Sequence, residues 1–428
     1  MLDILIHNAT VVTQDPKLGV LSSGRVGIRG DLIELVSGEG GDDPLPKARE
    51  AIDAGGDILM PGLINAHTHL PMSLFRGLAD DLPLDVWLNG HICPAEARFI
   101  TPANVRTGTL LSCAELLLGG TTTCCDGYFL ESDVAAATAD SGLRAILGQG
   151  VIDFPAPGVT DPGDNVAHAV DFVNAWQDRS ERITPAIFCH SPYTCGSKTL
   201  KAAKAAAREL GAPFLVHVAE TRGEAGMIAE AEGRSPIRYL DQLGLLDEGT
   251  LLVHAVWLDG PDIQCIAASG ASVAHCPESN MKLASGVMPL PDLRSAGIDV
   301  GLGTDGCASN NDLDLFGEMN TTAKLHKLMC QNPTVATAHE VFAMATSQGA
   351  RVLGRDDEIG SIVKGKLADL VRVDVHTPCL TPMYDPISHL VYAARGGDVR
   401  DVMAVSYTHL TLPTTGSLGY SGWWAVGG

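Results

Sequence analysis

Eight short apolar runs, each followed by a helix-forming stretch, restrict the fold of this chain more than any other feature of its sequence. The runs lie near residues 63–69, 120–126, 144–152, 183–190, 213–219, 250–256, 271–276 and 298–304. Buried parallel strands are continuous apolar runs, and strands that alternate with helices build parallel sheets. The pattern therefore predicts an α/β protein with a TIM-type (β/α)8 barrel, whose functional groups lie at the C-terminal ends of the strands.

Helix boundaries are marked in the sequence by capping residues. Thr101 as N-cap, Pro102 at the first position and Gly119 as stop predict a helix over 101–118. A second helix is predicted over 198–210, ending at a glycine. Further helices are predicted near 165–178, 222–243, 261–269, 311–328 and 335–353, with His326 and His339 on exposed helix faces.

The two ends of the chain are predicted to form one small domain. Residues 1–58 contain short strands separated by Gly and Asp, too few to bury a core alone, and residues 359–405 supply the partner strands. The barrel then spans 59–358. Residues 406–428 form an atypical tail, because Val402 to Gly428 contains no Asp, Glu, Lys or Arg, and we treat a non-native origin of this tail as a hypothesis.

The composition of the chain restricts the kinds of molecule that it can bind. The formal net charge of −22 disfavours nucleic acid and anionic membranes, which both need a basic surface. No apolar run approaches the ~20 residues that span a bilayer, and the first residues do not resemble a secretory signal. The 11 cysteines include no C-x-x-C pair, which is typical of reduced thiols, so a cytoplasmic location is expected.

Three histidines and an aspartate at strand ends predict a metal site. His67 and His69 project from the same face of a strand because side chains alternate with period two. His217 and Asp305 end two further strands of the barrel. Imidazole nitrogen and carboxylate oxygen are ligands of divalent metals. The fourth strand, 183–190, has no lysine to bridge two metals, which favours a single ion.

Further side chains near these ligands indicate hydrolytic chemistry. Asp305 lies where it can accept the proton of an attacking water. Glu220, three residues after His217, can deliver a proton to a ring nitrogen of a substrate. His254, at the end of the sixth strand, can polarise the water or hold a tetrahedral intermediate.

Longer segments around these residues resemble a known family. Pro61–His69, and Leu302–Gly306 with Ser309–Asn311, resemble the signature of the amidohydrolase superfamily. His190–Thr194, together with the segments 217–220 and 275–283, is similar to its methylthioadenosine/S-adenosylhomocysteine deaminase branch, which is related to triazine amino- and chlorohydrolases. The resemblance covers about residues 1–405.

The resemblance implies a distorted (β/α)8 barrel with a small β-sandwich domain formed by the N- and C-terminal segments. It implies one Zn²⁺ held by the four predicted ligands, although Fe²⁺ or Mn²⁺ would suit them as well. It also implies that Glu96 and His190 bind substrate, with Glu96 on the ribose hydroxyls, and that Glu220 contacts the purine. Trp87 would either stack on the purine or pack a loop. The expected reaction is deamination of an adenine nucleoside to the inosine analogue and ammonia.

One departure from the family bears on the substrate. After the third strand, some members carry an arginine for the homocysteine carboxylate, where this chain has Gly148, Gln149 and Gly150. Gln149 is expected to contact substrate in place of that arginine. Because it cannot form a charged bidentate pair, uncharged substrates are favoured over S-adenosylhomocysteine. A triazine-type hydrolase, a deaminase of free purine or pyrimidine bases, and a non-catalytic metal-binding scaffold stay open as alternatives, as does assembly into a homo-oligomer.

Overall fold

The computed structural model describes residues 1–38 and 45–404, together with the backbone of 409–411. The strands are β1 (Leu2–Val12), β2 (Val20–Arg29), β3 (Leu32–Gly38), β4 (Ala48–Asp53), β5 (Ile58–Pro61), β6 (Leu63–Thr68), β7 (Thr121–Tyr128), β8 (Arg144–Val151), β9 (Ile183–Cys189), β10 (Phe214–Val218), β11 (Thr250–His254), β12 (Ser272–His275), β13 (Val300–Leu302), β14 (Leu370–Val373), β15 (Val399–Met403) and β16 (His409–Thr411).

The helices are α1 (Leu84–Trp87), α2 (Cys93–Phe99), α3 (Pro102–Leu118), α4 (Glu131–Ser141), α5 (Asn165–Trp176), α6 (Ser197–Leu210), α7 (Arg222–Glu232), α8 (Pro236–Gln242), α9 (Gly260–Ser269), α10 (Pro277–Lys282), α11 (Leu290–Ser295), α12 (Leu315–Met329), α13 (Ala338–Met344), α14 (Ser347–Val352) and α15 (Pro386–Tyr392). A π-helical turn, Leu88–Ile92, joins α1 to α2. Within the described ranges, no helix has both the length and the apolar character needed to cross a membrane.

The eight predicted strands form one parallel sheet in chain order from β6 to β13. The ends of this sheet meet beyond β13, where the amide of Asp305 donates to the carbonyl of His67 at 3.0 Å. Gly303 allows this approach, since a Cβ there would lie 2.8 Å from the backbone nitrogen and oxygen of His67. The barrel predicted from the sequence is confirmed, and it closes at two of the predicted metal ligands.

Alternation along the strands separates the barrel interior from the helical layer. Ile146 of β8 shares an interior cluster with Phe188 of β9 and Leu215 of β10. Leu147 and Val151 of β8 belong instead to the larger core between the strands and the surrounding helices. Each strand therefore buries both faces, which is why it reads as a continuous apolar run in the sequence.

The capping residues set the helix boundaries. Thr101 accepts a hydrogen bond from the amide of Asn104 at 3.3 Å, and α3 ends at Gly119 as predicted. The single helix predicted over 222–243 is wrong, because it is two helices, α7 and α8. Gly233 ends α7 with a φ of 70°, and Ser235 caps the next helix. The prediction over 335–353 also divides, into α13 and α14.

The second sheet is built from both ends of the chain, as predicted. Its strand order is β16-β15-β14-β5-β1-β2-β3, and β4 pairs with β1. Ile4, Val26, Ile33 and Leu370 share its core. The strand β16 lies in the tail 406–428, which the sequence analysis placed outside this domain, and it pairs with β15. Residues 405–408 and 412–428 lie outside the described residues. The domain boundaries themselves stay predictions.

The prediction that His326 lies on an exposed helix face is wrong. This residue lies on α12 but is only 1% exposed, because its Nε2 contacts the Nε2 of His275 at 3.0 Å. His275 projects from β12 toward the helical layer, so the partner of His326 comes from a distant strand. His339 on α13 is exposed, as predicted.

Candidate active site

Three imidazoles meet at the C-terminal end of the barrel. The candidate ligand nitrogens of His67, His69 and His217 all lie within 4.8 Å of one another. The Nε2 atoms of His67 and His217 are 3.1 Å apart, although 150 residues separate them in the chain. The strands β6 and β10 thus bring together three of the four predicted ligands.

Asp305 joins this group from the loop after β13. Its Oδ1 lies 3.3 Å from Nε2 of His69 and 3.6 Å from Nε2 of His67. Its Oδ2 accepts hydrogen bonds from the hydroxyl groups of Ser279 at 2.7 Å and Ser309 at 2.9 Å. The two serines fix the carboxylate, so Oδ1 points at the histidines.

The electrostatics of the group suit a cation. Burial lowers the pKa of His67 to about 4 and that of His217 well below its ordinary value, so both rings present neutral lone pairs. The Nδ1 of His69 donates to the carbonyl of Gly127 at 2.6 Å, which leaves Nε2 of His69 facing the cluster. Burial would raise the pKa of Asp305, but the adjacent imidazoles of His67 and His69 hold it well below its usual range.

This donor set fits a divalent metal. Three imidazole nitrogens and one ionised carboxylate are a common ligand set for zinc and its neighbours in the first transition row. No other group of three potential ligands this close together is found in the part of the chain that the structure describes. His67, His69, His217 and Asp305 are therefore the residues that would hold the ion.

Glu220 and His254 form a pair beside the cluster. The Oε2 of Glu220 lies 3.9 Å from Nε2 of His254, and the hydroxyl of Ser285 donates to Oε1 of Glu220 at 3.3 Å. The Nδ1 of His254 donates to Oδ1 of Asn280 at 3.0 Å, which turns Nε2 toward Glu220. Burial raises the pKa of Glu220, which favours the protonated form of its carboxyl group.

Backbone strain is concentrated at these strand ends. Ala219, His254 and Asp305 have φ values of 52°, 73° and 59°, a region that non-glycine residues rarely occupy. The buried carboxylate of Glu224 accepts from the amides of Ala219 at 2.9 Å and Glu220 at 2.8 Å. Glu224 thus stabilises the turn that presents Glu220.

Two predicted substrate residues border the cluster. The ring centroid of His190 lies 5.4 Å from that of His217, and Nδ1 of His190 contacts the hydroxyl of Thr194 at 2.9 Å. The half-buried Glu96 on α2 accepts a hydrogen bond from the hydroxyl of Tyr128. The structure therefore brings strands β7 and β9 into the same site.

Two other predicted residues are not brought to the cluster. Gln149 was expected to contact substrate, but its Oε1 accepts from the amide of Glu131 at 3.1 Å, at the start of α4. It lies on the outward face of β8 with Leu147, so alternation directs its side chain away from the barrel interior. Trp87 is 7% exposed and packs in the main core, as in the loop-packing alternative.

Sequence reasoning missed the residues that orient the site. Ser279 and Asn280 lie in the segment 275–283 and Ser309 in the segment 309–311, both of which carry the family resemblance, yet neither the sequence nor that resemblance gave them a role. Glu224 was recognisable as the third residue after the N-cap Thr221, a capping-box position. The bond between Tyr128 and Glu96 joins residues 32 apart and carries no local pattern.

The site and the fold match known proteins. Residues 58–417 match the model of the amidohydrolase family. A 5-methylthioadenosine/S-adenosylhomocysteine deaminase of Syntrophobacter fumaroxidans is 45% identical over 401 residues, which cover 93% of this chain and 90% of the relative. A 5'-deoxyadenosine deaminase of Methanosarcina mazei is 44% identical over 403 residues, covering 94% and 91%.

A solved structure is also similar to this chain over most of its length. An adenosine deaminase from Xanthomonas campestris, described with bound zinc, superposes with a TM-score of 0.91 at 40% identity and covers 94% of this chain and 91% of its own. The family match extends over more than half of this chain, and the curated relatives are similar over nearly their whole length. The chain belongs to the amidohydrolase family.

Proposed function

We propose that this chain catalyses the hydrolytic deamination of an adenine nucleoside to the inosine analogue and ammonia. The observation that carries the proposal is the pair formed by the part-buried Glu220 and the buried His254, beside three histidines and Asp305. A proton donor next to a cation site suits attack of water on an electron-poor ring. Relatives named as deaminases of methylthioadenosine, S-adenosylhomocysteine and 5'-deoxyadenosine support the substrate class.

One Zn²⁺ per subunit is the proposed cofactor, held by His67, His69, His217 and Asp305. When bound, a divalent metal lowers the pKa of a coordinated water toward ~7 and so supplies a nucleophile near neutral pH. The lowered pKa values of His67 and His217 and the low pKa of Asp305 support this assignment, as does the zinc described in the Xanthomonas campestris relative.

The proton transfers follow from the two carboxyl groups. Asp305, whose pKa is held low, accepts the proton of the attacking water at a carboxylate oxygen. Glu220, whose pKa is raised, donates its proton to the ring nitrogen beside the attacked carbon. His254 presents Nε2 to the same region and stabilises the tetrahedral carbon's oxygen. Asp305 then passes its proton to the amino group, which leaves as ammonia, while the hydroxyl of the tetrahedral carbon loses its proton to Glu220 and becomes the carbonyl oxygen of the product.

Substrate contacts are assigned to Glu96 and His190, with Glu96 on the ribose hydroxyls. We also propose a preference for methylthioadenosine and adenosine over S-adenosylhomocysteine. Near the end of the third barrel strand, where some family members carry an arginine, Gln149 is uncharged and its side-chain oxygen accepts from the backbone amide of Glu131 outside the cluster.

Ultraviolet absorbance tests the proposal directly. Zinc-loaded protein is incubated with methylthioadenosine, adenosine and S-adenosylhomocysteine, and metal-free protein serves as the control. We expect a change from an adenine to a hypoxanthine spectrum with the uncharged nucleosides, and a weaker one with S-adenosylhomocysteine. No change with any of them, in folded protein that holds one metal, would reject nucleosides and direct the search to free bases and triazines.

A further inference from the structure

We propose that Tyr128 is a positioning residue that orients the Glu96 carboxylate for the vicinal hydroxyls of the substrate ribose. The inference rests on the proposed function and adds to it the element that discriminates a nucleoside from a free base.

Tyr128 lies between the cluster and Glu96. It is the last residue of β7, it is 4% exposed, and its ring centroid is 6.1 Å from that of His69. Its hydroxyl hydrogen-bonds to Oε1 of Glu96. One side chain therefore links the carboxylate on α2 to the edge of the candidate metal centre.

The direction of this hydrogen bond is determined by its partners. Burial and the nearby Glu96 raise the pKa of Tyr128 well above its ordinary value, so the phenol keeps its proton and donates it. The Oε2 of Glu96 has no hydrogen-bond partner among the described residues. Tyr128 thus engages one carboxylate oxygen and leaves the other to accept from a ligand.

Packing alone does not fix Glu96. The helix α2 has no buried residue, and the neighbouring turn Leu88–Ile92 buries only its last side chain. A carboxylate on such a helix retains rotamer freedom that binding would have to remove. The hydroxyl of Tyr128 removes part of this freedom before the substrate arrives.

The backbone of Tyr128 is itself fixed by a hydrogen bond to a buried residue. Its amide donates to Oε1 of Glu131 at 2.8 Å, and the amide of Glu131 donates to Gln149 at 3.1 Å. Glu131 is fully buried. These contacts connect β8 through β7 to Glu96, and they give Gln149 a supporting role in place of the expected substrate contact.

Tyr128→Phe tests the inference because it removes the hydroxyl and keeps the ring. With adenosine or methylthioadenosine we expect KM to rise about tenfold, the size of effect that loss of a charge-assisted hydrogen bond produces, while kcat stays within about threefold. With 2',3'-dideoxyadenosine, which lacks both hydroxyls, the variant and the wild type should have the same KM. Tyr239→Phe, on α8 away from the site, is the matched control.

A double-mutant cycle with Glu96→Gln separates positioning from general structural damage. If Tyr128 acts through Glu96, adding Tyr128→Phe to Glu96→Gln should change KM for adenosine by less than about twofold. Equal losses on ribose and dideoxyribose substrates, or additive effects in the cycle, would overturn the inference while leaving the deaminase proposal intact. Wild-type protein inactive on every nucleoside would reject both.

Discussion

Two carboxyl groups, the part-buried Glu220 and the buried Asp305, lie within one site yet have opposite protonation preferences. Burial acts on both, but the imidazoles of His67 and His69 lie 3.6 and 3.3 Å from Asp305, whereas Glu220 has Ser285 and a more distant His254. When environments push the pKa values of two such groups apart, one serves as base and the other as acid. The assignment of roles therefore follows from hydrogen-bond partners, and residue type alone would not have given it.

Glu220→Gln should remove the proton donor and keep the shape of the site. We expect kcat to fall roughly 10²- to 10⁴-fold, the usual contribution of a general acid, while the bound metal measured by atomic absorption is unchanged. Glu230→Gln, an exposed glutamate on α7, is the control and should keep full activity. A Glu220→Gln variant with wild-type kcat would assign the proton transfer to another group.

At the scale of elements, the helices begin and end where short-range chemistry dictates. Thr101 and Gly119 bound α3, and a glycine with a φ of 64° ends α6. The same chemistry divides 222–243 into two helices at Gly233 and Ser235, where the sequence analysis predicted one. Capping residues mark this boundary because each of them reports one backbone conformation directly.

Thr101→Ala should weaken α3 at its first turn, because the amide of Asn104 loses its acceptor. We expect the free energy of unfolding to fall by about 1 kcal/mol in urea titrations. Thr107→Ala, at an exposed position of the same helix, should change it by less than about 0.5 kcal/mol. Equal effects of the two substitutions would exclude a specific capping contribution.

At the scale of the whole molecule, polar contacts buried between distant elements join the barrel to its surroundings. Arg144 at the start of β8 pairs with Asp369 just before β14 at 3.3 Å, and both side chains are almost fully buried. His275 and His326 similarly connect a barrel strand to α12. The buried contact between His275 and His326 makes the stability of the molecule depend on protonation, because burial lowers the pKa of both rings.

Stability should fall as the pH is lowered from 6.5 toward 4. Burial lowers the pKa of His326 from 6.5 to about 4, so in this range the unfolded chain binds a proton that the folded chain excludes. His326→Gln should reduce the slope of unfolding free energy against pH by up to roughly 1.4 kcal/mol per unit. The exposed His168→Gln should leave the slope unchanged, and an unchanged slope in His326→Gln as well would refute this origin.

The sequence alone determined the barrel and the pairing of the chain ends in a second sheet. It also determined which residues are candidate metal ligands, among them His67, His217 and Asp305. These follow from strand periodicity and from motifs a few residues long. Only the tertiary structure decided that Gln149 points away from the cluster, that His326 is buried, and that Tyr128 meets Glu96. The reason is physical: the orientation of a side chain and its partner depend on how distant strands and helices pack, which no local pattern encodes.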